Sequence, residues 1–221
     1  MIPKSSVGRK IVMALSGQAM ILFLVIHVIG NSTIYFDGLN SYAEKLHSLP
    51  FIVWIFRSGM LLAFALHVFY GVQLTLENRA ANPEQYAVRK NLRATFASKN
   101  MIWSGLLIGV FLLYHLLHFT VQVTNPEISA QMMTDSMGRP DVAGMVILSF
   151  QQSLIAFTYI AAMVALLFHL IHGIQSSFQT LGLNNESISP VISRSGSAAA
   201  VILFTGYILI PVIILLGILK G

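Results

Sequence analysis

The sequence predicts an all-α integral membrane protein, a bundle of five transmembrane helices with a cytoplasmic amino terminus and its carboxyl terminus outside. Two properties predict this class. Of the 221 residues, 56% are hydrophobic and only 10% are charged, and the mean hydropathy is +0.75, whereas soluble domains are about a quarter charged. The few charges also cluster, which leaves five long runs without Asp, Glu, Lys or Arg.

The five charge-free runs define the predicted helices. A helix needs about 20 apolar residues to cross the hydrocarbon core, so each run can cross once. The fourth run could hold two spans, but no turn signal interrupts its centre, and we predict one helix with a polar end projecting into water. The predicted helices of this single transmembrane domain, residues 1–221, are about 11–36, 51–78, 100–125, 142–181 and 195–219.

Polar residues mark the ends of these helices. Asn82-Pro83 ends the second helix, because the residue before proline avoids helical geometry. Asp141 is well placed as the N-cap of the fourth. Pro211 should kink the fifth helix. The outer segment 125–141 is long enough to form a short cap over the membrane face.

Basic residues near the span ends predict the orientation, since cytoplasmic loops carry the excess of Lys and Arg. With the amino terminus inside, four basic residues lie outside: Lys45, Arg57, Arg139 and Lys220. The other nine lie inside: Lys4, Arg9, Lys10, Arg79, Arg89, Lys90, Arg93, Lys99 and Arg194. The net charge of +5 is then mostly a consequence of topology, and no nucleic-acid partner is required.

Histidines carry the functional signal of this chain, which has seven of them and no cysteine. Four lie deep inside four different charge-free runs. Ionisable residues inside a bilayer are costly, so they mark function and need partners. Imidazoles on four neighbouring helices are a ligand set for two haems, each iron bound by two histidines. The four residues are His27, His67, His115 and His169.

The depth of each histidine predicts how they pair. His27 and His115 each lie about 22–24 Å from the inner boundary, at roughly 1.5 Å of rise per residue. His67 and His169 lie about 15 Å from the same boundary on helices that run the other way. We therefore expect an outer pair, His27 with His115, and an inner pair, His67 with His169.

A short internal repeat is consistent with two stacked cofactors. Ser16-Gly17 and Ser104-Gly105 each place a glycine ten residues before a histidine of the outer pair. Ten residues are about 15 Å of helix, so each glycine lies near the level of the inner pair. A glycine there would leave room for a flat macrocycle. Ordinary packing of small residues between membrane helices is the alternative.

The other histidines have secondary roles in this interpretation. His118 and His172 follow His115 and His169 by three residues and share a helix face with them. They could complete a metal site, but these helices supply no carboxylate. We expect them to hydrogen-bond a haem propionate, a quinone or a neighbouring helix; in the alternative, one of them replaces its neighbour as the iron ligand.

Two such haems would relay electrons across the membrane. An iron with histidine on both faces has no open position, which favours electron transfer over oxygen activation. Without cysteine the chain can hold neither covalently attached haem nor an iron–sulfur cluster, so two haems b are expected. Electrons must then enter from a partner protein and leave to a lipid-soluble quinone.

The ordered motifs resemble the five-helix dihaem cytochrome b subunit of succinate:quinone oxidoreductases, of the cytochrome b558 type. The resemblance covers nearly the whole chain and lies in the set and its spacing rather than in one motif. The set comprises His27 with Asn31, Ser48-Leu49-Pro50-Phe51, His67 with Tyr70 and Gly71, Gln85-Tyr86, Asn91, Ser104-Gly105, His115, and His169 with Gly173 and Gly182.

The resemblance implies the same axial ligands, with His27 and His115 on the distal haem and His67 and His169 on the proximal one. It also implies a multi-pass anchor in the bacterial cytoplasmic (inner) membrane that holds a flavoprotein subunit and an iron–sulfur subunit on its cytoplasmic face. FAD and the clusters belong to those partners. Electrons from succinate would reach a quinone, usually menaquinone, and a homo-oligomer of the complex is left open. The inner docking face would be formed by Arg79, Arg89, Lys90, Arg93 and Lys99, although anionic lipid would also satisfy them.

One departure bears on the direction of the reaction. Some fumarate reductases of this group carry a glutamate two residues before the fourth ligand, used in compensatory proton transfer. Here that position is Leu167, which favours succinate oxidation over fumarate reduction. Two other classes stay open: the anchor of another quinone-linked oxidoreductase, such as a formate dehydrogenase or hydrogenase, and a proton-coupled transporter without haem.

The quinone is expected near the outer haem. A quinone needs an apolar slot with a few polar groups that bond its carbonyls and exchange protons. Asn31 lies one turn outward from His27, and the following loop adds Glu44 and His47. The alternative is that Asn31 bridges helices and that Glu44 is a solvated loop charge.

Overall fold

Five long helical segments make up most of the part of the chain that the structure describes. The computed structural model describes residues 5–81 and 96–220, and this part of the chain is almost entirely helical, with no β-strand. Five of its helical segments are long and apolar enough to cross a membrane: Ser6–Phe36, Pro50–Ala80, Met101–Thr120, Ser153–Thr180 and Ser189–Leu215. The predicted all-α class with five spans is confirmed.

In chain order the α-helices are α1 (Ser6–Ser32), α2 (Leu39–His47), α3 (Pro50–Ala80), α4 (Phe96–Lys99), α5 (Met101–His115), α6 (Val142–Gln151), α7 (Ser153–Thr180) and α8 (Ser189–Leu215). A 3₁₀ turn, Thr33–Phe36, extends α1, and a π-helical turn, Leu116–Thr120, extends α5. We call the end of the bundle that holds Ser6 and Thr180 the inner end, and the end that holds α2 and α6 the outer end, following the predicted orientation.

Local sequence explains where several helices begin. The Ser5 side chain accepts a hydrogen bond from the backbone N–H of Gly8 and caps α1. Asp141 does the same for Gly144 at 2.8 Å and caps α6, as predicted. Pro50 opens α3 in the first turn, where its missing N–H costs nothing.

The predicted fourth helix, 142–181, is wrong in one respect, because it is two helices. The backbone is extended at Gln152 (φ −78°, ψ 109°), which separates α6 from α7. A continuous helix of that length would measure about 60 Å, twice the roughly 30 Å hydrocarbon core. The break turns α6 into part of the outer end, and the polar residues Gln151-Gln152-Ser153 are the sequence signal for it.

The outer end is more structured than the sequence suggested. The loop after α1 contains α2, whose Tyr42 packs on Gly30 so closely that a β-carbon there would lie 2.6 Å from the tyrosine ring. The segment before α6 closes as a turn, in which Thr134 and Pro140 form an isolated bridge. The expected cap at 125–141 therefore packs together with a second, unpredicted helix.

Four of the five spans form a four-helix arrangement, and the fifth packs against its outside. Helices α1, α3, α5 and α7 are neighbours in that order, and α7 returns to α1. The opposite helices, α1 with α5 and α3 with α7, scarcely approach each other. Helix α8 packs outside this arrangement against α7 and α1, at points where a β-carbon on Gly196 or Gly206 would meet Ile174 or Val28 at under 3 Å.

At the inner end an ion pair between Arg9 and Glu77 joins α1 to α3. Much of the predicted docking surface and several motif residues lie outside the described residues. These are Lys4, Asn82-Pro83, Gln85-Tyr86, Arg89, Lys90, Asn91 and Arg93.

Candidate functional site

Each of the four central helices contributes one histidine to the interior of the bundle. His27 lies on α1, His67 on α3, His115 on α5 and His169 on α7. Opposite helices are not in close backbone contact, and the rings of opposite histidines lie near each other across the middle of the bundle.

The structure forms two pairs, each along one diagonal of the four-helix arrangement. The ring centroids of His27 and His115 are 6.0 Å apart, with ring planes at 89°. Those of His67 and His169 are 6.2 Å apart, at 64°. These are the outer and inner pairs that were predicted from the depth of each histidine along its helix.

The separation of each pair suits a metal ion between two imidazoles. A histidine nitrogen lies about 2.0 Å from a bound transition metal. Adding about 1.1 Å from nitrogen to ring centre, two imidazoles on opposite sides of one ion have centroids about 6.3 Å apart. The two observed separations lie close to this value. By this separation the four histidines would suit two irons, one at each level.

The inner pair is oriented through its Nδ1 atoms. His67 Nδ1 lies 3.0 Å from the Met13 carbonyl oxygen, so the ring donates its Nδ1–H there. His169 Nδ1 lies 3.2 Å from Ser104 Oγ and within reach of the Met101 backbone. A metal-binding histidine commonly donates its second ring N–H in this way, which fixes the tautomer and leaves Nε2 to the metal.

The partners of the inner pair come from a repeated motif, Met-x-x-Ser-Gly, at residues 13–17 and 101–105. In each copy the serine hydroxyl donates to the carbonyl of its methionine at 3.0 Å. A β-carbon on Gly17 would lie 3.2 Å from His67 Cε1, and one on Gly105 would lie 3.3 Å from His169 Cε1. The glycines lie at the level of the inner pair, and the group that approaches them is the imidazole edge.

The outer pair has different partners. Asn31 Nδ2 lies 3.2 Å from His27 Nε2, one helical turn away. The Tyr159 hydroxyl lies 3.4 Å from His115 Nδ1. Phe23 stacks on His27, with ring centroids 5.3 Å apart. Iron binding at His27 Nε2 would require Asn31 to release this nitrogen, and the amide would then be free to contact another group.

Tyr159 is a site residue that the sequence analysis missed. It lies on α7, is buried, and its hydroxyl contacts both His115 and His118. A signal was available, because Tyr159 precedes His169 by ten residues. The same ten-residue interval separates the inner and outer levels on the other helices, and it places Tyr159 beside the outer pair.

His118 and His172 are not part of either pair. His118 lies in the π-helical turn, is only 3% exposed, and its Nδ1 is 3.0 Å from the Tyr159 hydroxyl. His172 is partly exposed on α7. Within residues 5–81 and 96–220, the structure brings together no group of three or more His, Cys, Asp or Glu side chains that could hold a metal ion.

The two loop residues predicted near the quinone lie on the exposed surface of the outer end. His47 Nδ1 contacts the Ala43 carbonyl at 2.8 Å. Glu44 accepts a hydrogen bond from Arg139 at 3.2 Å. The structure does not bring either residue to Asn31, which instead contacts His27.

Arg139 is the centre of a polar network that fastens α2 to the turn before α6. Its guanidinium also donates to Asp135 at 2.8 Å and to Ser41 at 2.9 Å. These hydrogen bonds, with those from the backbone N–H groups of Arg139 and Met137, lower the pKa of Asp135 to about 2. The same partners raise the pKa of Arg139.

Comparison with known proteins gives a family. Residues 75–210, more than half of the chain, match the succinate dehydrogenase/fumarate reductase transmembrane subunit family. The matched region contains His115 and His169 and leaves out His27 and His67. No curated protein and no solved structure matches the chain significantly. The chain belongs to the family of transmembrane subunits of succinate dehydrogenase and fumarate reductase.

Proposed function

We propose that this chain is a dihaem cytochrome b anchor that carries electrons between an iron–sulfur subunit and a membrane quinone. One observation carries the proposal: two histidine pairs span the bundle along its two diagonals, with centroid separations of 6.0 Å and 6.2 Å. Histidines in such pairs would bind haem iron from both sides, His27 with His115 and His67 with His169. When bound, each haem supplies reversible one-electron transfer.

The chain's own residues would define two different haem environments. At the inner level, carbonyl and hydroxyl oxygens from the Met-x-x-Ser-Gly motifs accept the Nδ1 hydrogens of the ligands. At the outer level, the Tyr159 hydroxyl serves His115, and Asn31 lies beside His27. Groups that hydrogen-bond the ligands of a metal tune its properties, so the two haems should differ in potential. The levels lie about 15 Å apart, judged from ten helical residues.

Family membership supports the partners. The proposed complex joins this anchor to a flavoprotein subunit with FAD and to an iron–sulfur subunit, both on the cytoplasmic face of a bacterial inner membrane. Among the described residues, Arg79, Lys99 and Arg194 lie at the inner end and would contribute to that docking surface. The family match also favours this reading over a formate dehydrogenase or hydrogenase anchor and over a transporter.

We propose succinate oxidation with menaquinone as the electron acceptor as the working direction. Leu167 stands where some fumarate reductases have a glutamate for compensatory proton transfer, and α7 contains no carboxylate. Fumarate reduction by the same relay is the second candidate. The quinone is proposed to bind at the outer end, where the sequence suggested Asn31, Glu44 and His47 as contacts.

The test is the haem content of the purified complex. A pyridine haemochrome assay should give two b-type haems per 24.3 kDa chain, both low-spin in the visible and paramagnetic resonance spectra. Co-purification of a flavoprotein and an iron–sulfur protein should accompany them. One haem or none per chain would contradict the relay.

A further inference from the structure

An unpaired nitrogen is buried beside the outer histidine pair. His118 is 3% exposed, and its Nε2 has no hydrogen-bond partner within the described part of the chain. A buried donor or acceptor without a partner costs about 1–3 kcal/mol, so native proteins rarely leave one unpaired. An unpaired ring nitrogen at this depth therefore indicates a partner that is not a protein side chain.

The proposed iron on His115 determines which ring nitrogen of His118 carries the hydrogen. If His115 binds iron through Nε2, its Nδ1 must carry the hydrogen and donate it to the Tyr159 oxygen, 3.4 Å away. The Tyr159 hydroxyl hydrogen is then free for His118 Nδ1, 3.0 Å away. His118 accepts at Nδ1, so its own hydrogen must sit on Nε2. The chain of two hydrogen bonds makes His118 Nε2 a donor that requires an oxygen acceptor.

A second unpaired donor lies at the same end of the bundle. The hydroxyl of Tyr35 is buried and has no partner among the described residues. Tyr35 packs against the outer core cluster, which includes Tyr159 and Phe150. His118 contacts Tyr159 and Phe119 of the same cluster, and a ligand with two acceptor oxygens could pair both donors.

The surroundings of His118 are aromatic. Phe119 stacks on its ring with centroids 4.1 Å apart, and Tyr114 lies 5.4 Å away. A flat, apolar ring would replace contacts of the same kind, since binding sites combine aromatic walls with a few placed polar groups. His118 also lies in the π-helical turn, a geometry that often occurs at functional sites.

We infer that His118 Nε2 donates a hydrogen bond to a carbonyl oxygen of the quinone, with the Tyr35 hydroxyl as the second carbonyl contact and Tyr159 as the positioning residue. The inference rests on the proposed function, because the iron on His115 sets the hydrogen positions. It differs from the sequence-based expectation, in which Asn31, Glu44 and His47 contact the quinone. In the structure Asn31 hydrogen-bonds His27, and Glu44 hydrogen-bonds Arg139. His47 is exposed, with its Nδ1 against a backbone carbonyl.

The experiment measures the binding of menadione, a soluble naphthoquinone, to the purified complex by its effect on the outer haem spectrum. His118→Leu should weaken binding about tenfold, the effect of losing one hydrogen bond of about 1.4 kcal/mol. His118→Gln keeps an N–H donor and should recover part of the affinity. His172→Leu is the matched control, the same substitution at a partly exposed histidine on α7 at the inner side of His169, and should bind menadione normally.

A positioning role for Tyr159 gives a further expectation. Tyr159→Phe should weaken binding less than His118→Leu does, and the double variant should bind no more weakly than His118→Leu alone, because both act through one hydrogen-bond chain. Infrared difference spectra with carbonyl-labelled menadione should show the bound carbonyl band shifting in His118→Leu and not in His172→Leu.

The outcomes separate this inference from the proposed function. Haem content of the unaltered complex tests the relay, and menadione affinity tests His118. Unchanged affinity and an unchanged carbonyl band in both His118 variants would overturn the inference. A shift in the outer haem potential without any change in menadione binding would also overturn it, since the acceptor would then be a haem propionate. Loss of haem in His118→Leu leaves His118→Gln and Tyr159→Phe to decide.

Discussion

His67 donates its Nδ1–H to the Met13 carbonyl across the α1–α3 interface, at 3.0 Å. The β-carbon position of Gly17, one turn along α1, lies 3.2 Å from the same ring. Helix α1 therefore accepts the Nδ1 hydrogen bond of a proposed ligand and, at Gly17, leaves room for the edge of the same imidazole ring. Met101-x-x-Ser-Gly on α5 does the same for His169.

Gly17→Ala should disturb the inner haem and spare the outer one. Alanine is favoured over glycine in a helix by about 1 kcal/mol, so any damage must come from the methyl group against His67. We expect lower inner-haem content, or an inner haem with a shifted midpoint potential, in a redox titration. Gly105→Ala should act alike through His169.

Gly59→Ala is the matched control for these two variants. Gly59 lies on α3, and no described atom comes within 4 Å of its β-carbon position. This variant should leave both haems unchanged. If Gly17→Ala left the inner haem as unchanged as Gly59→Ala does, the close approach of the imidazole to Gly17 would not matter for haem binding.

Histidine substitutions should separate the two haems. Replacing His67 or His169 with alanine should remove the inner haem, and replacing His27 or His115 should remove the outer one, because one axial ligand of each iron is lost. The readout is haem content together with the surviving low-spin signal.

His118→Ala and His172→Ala serve as controls for that series, since the structure places neither residue in a pair. Both variants should keep two haems. Loss of a haem in either variant would show that the iron ligand is that histidine and not the one three residues before it.

The sequence predicted the spans and the histidine pairs well because both depend on helical geometry alone. Charge-free runs define the spans, and a rise of about 1.5 Å per residue places His27 and His115 at one depth. It failed where tertiary contacts decide. The helix α2 depends on packing at the outer end, and the Nδ1 partner of His67 is a backbone carbonyl, an atom that every residue type carries.

Asp135→Asn should loosen the outer end without altering the haems. The Arg139 hydrogen bonds hold the pKa of Asp135 at about 2, below its ordinary value of 3.8. The carboxyl therefore binds a proton less readily when folded, and its stabilising contribution is present above about pH 4 and lost as the pH falls towards 2.

Thermal unfolding of the detergent-solubilised protein measures this effect. The unaltered protein should lose part of its Tm between about pH 4 and pH 2, and Asp135→Asn should start from a lower Tm and lack that part of the pH dependence. Glu127→Gln, in the same outer segment, is the control. Equal pH dependence in the unaltered protein and in Asp135→Asn would show that the Arg139 network does not stabilise the fold.

Asn31→Leu tests the outer end of α1 as a quinone contact. The side chain hydrogen-bonds His27 Nε2 at 3.2 Å, and an iron on that nitrogen would release the amide for another acceptor. If the amide contacts the quinone, quinone turnover should fall in this variant while both haem spectra and dye-linked succinate oxidation persist, because leucine keeps the volume and removes the donor. Glu44→Gln removes a surface charge that pairs with Arg139. If Glu44 contacts the quinone, this variant should also impair quinone turnover. If both variants turn over quinone normally, these residues are not quinone contacts. The His118 variants then decide whether the quinone binds deeper at the outer end or at the inner end beside the iron–sulfur partner.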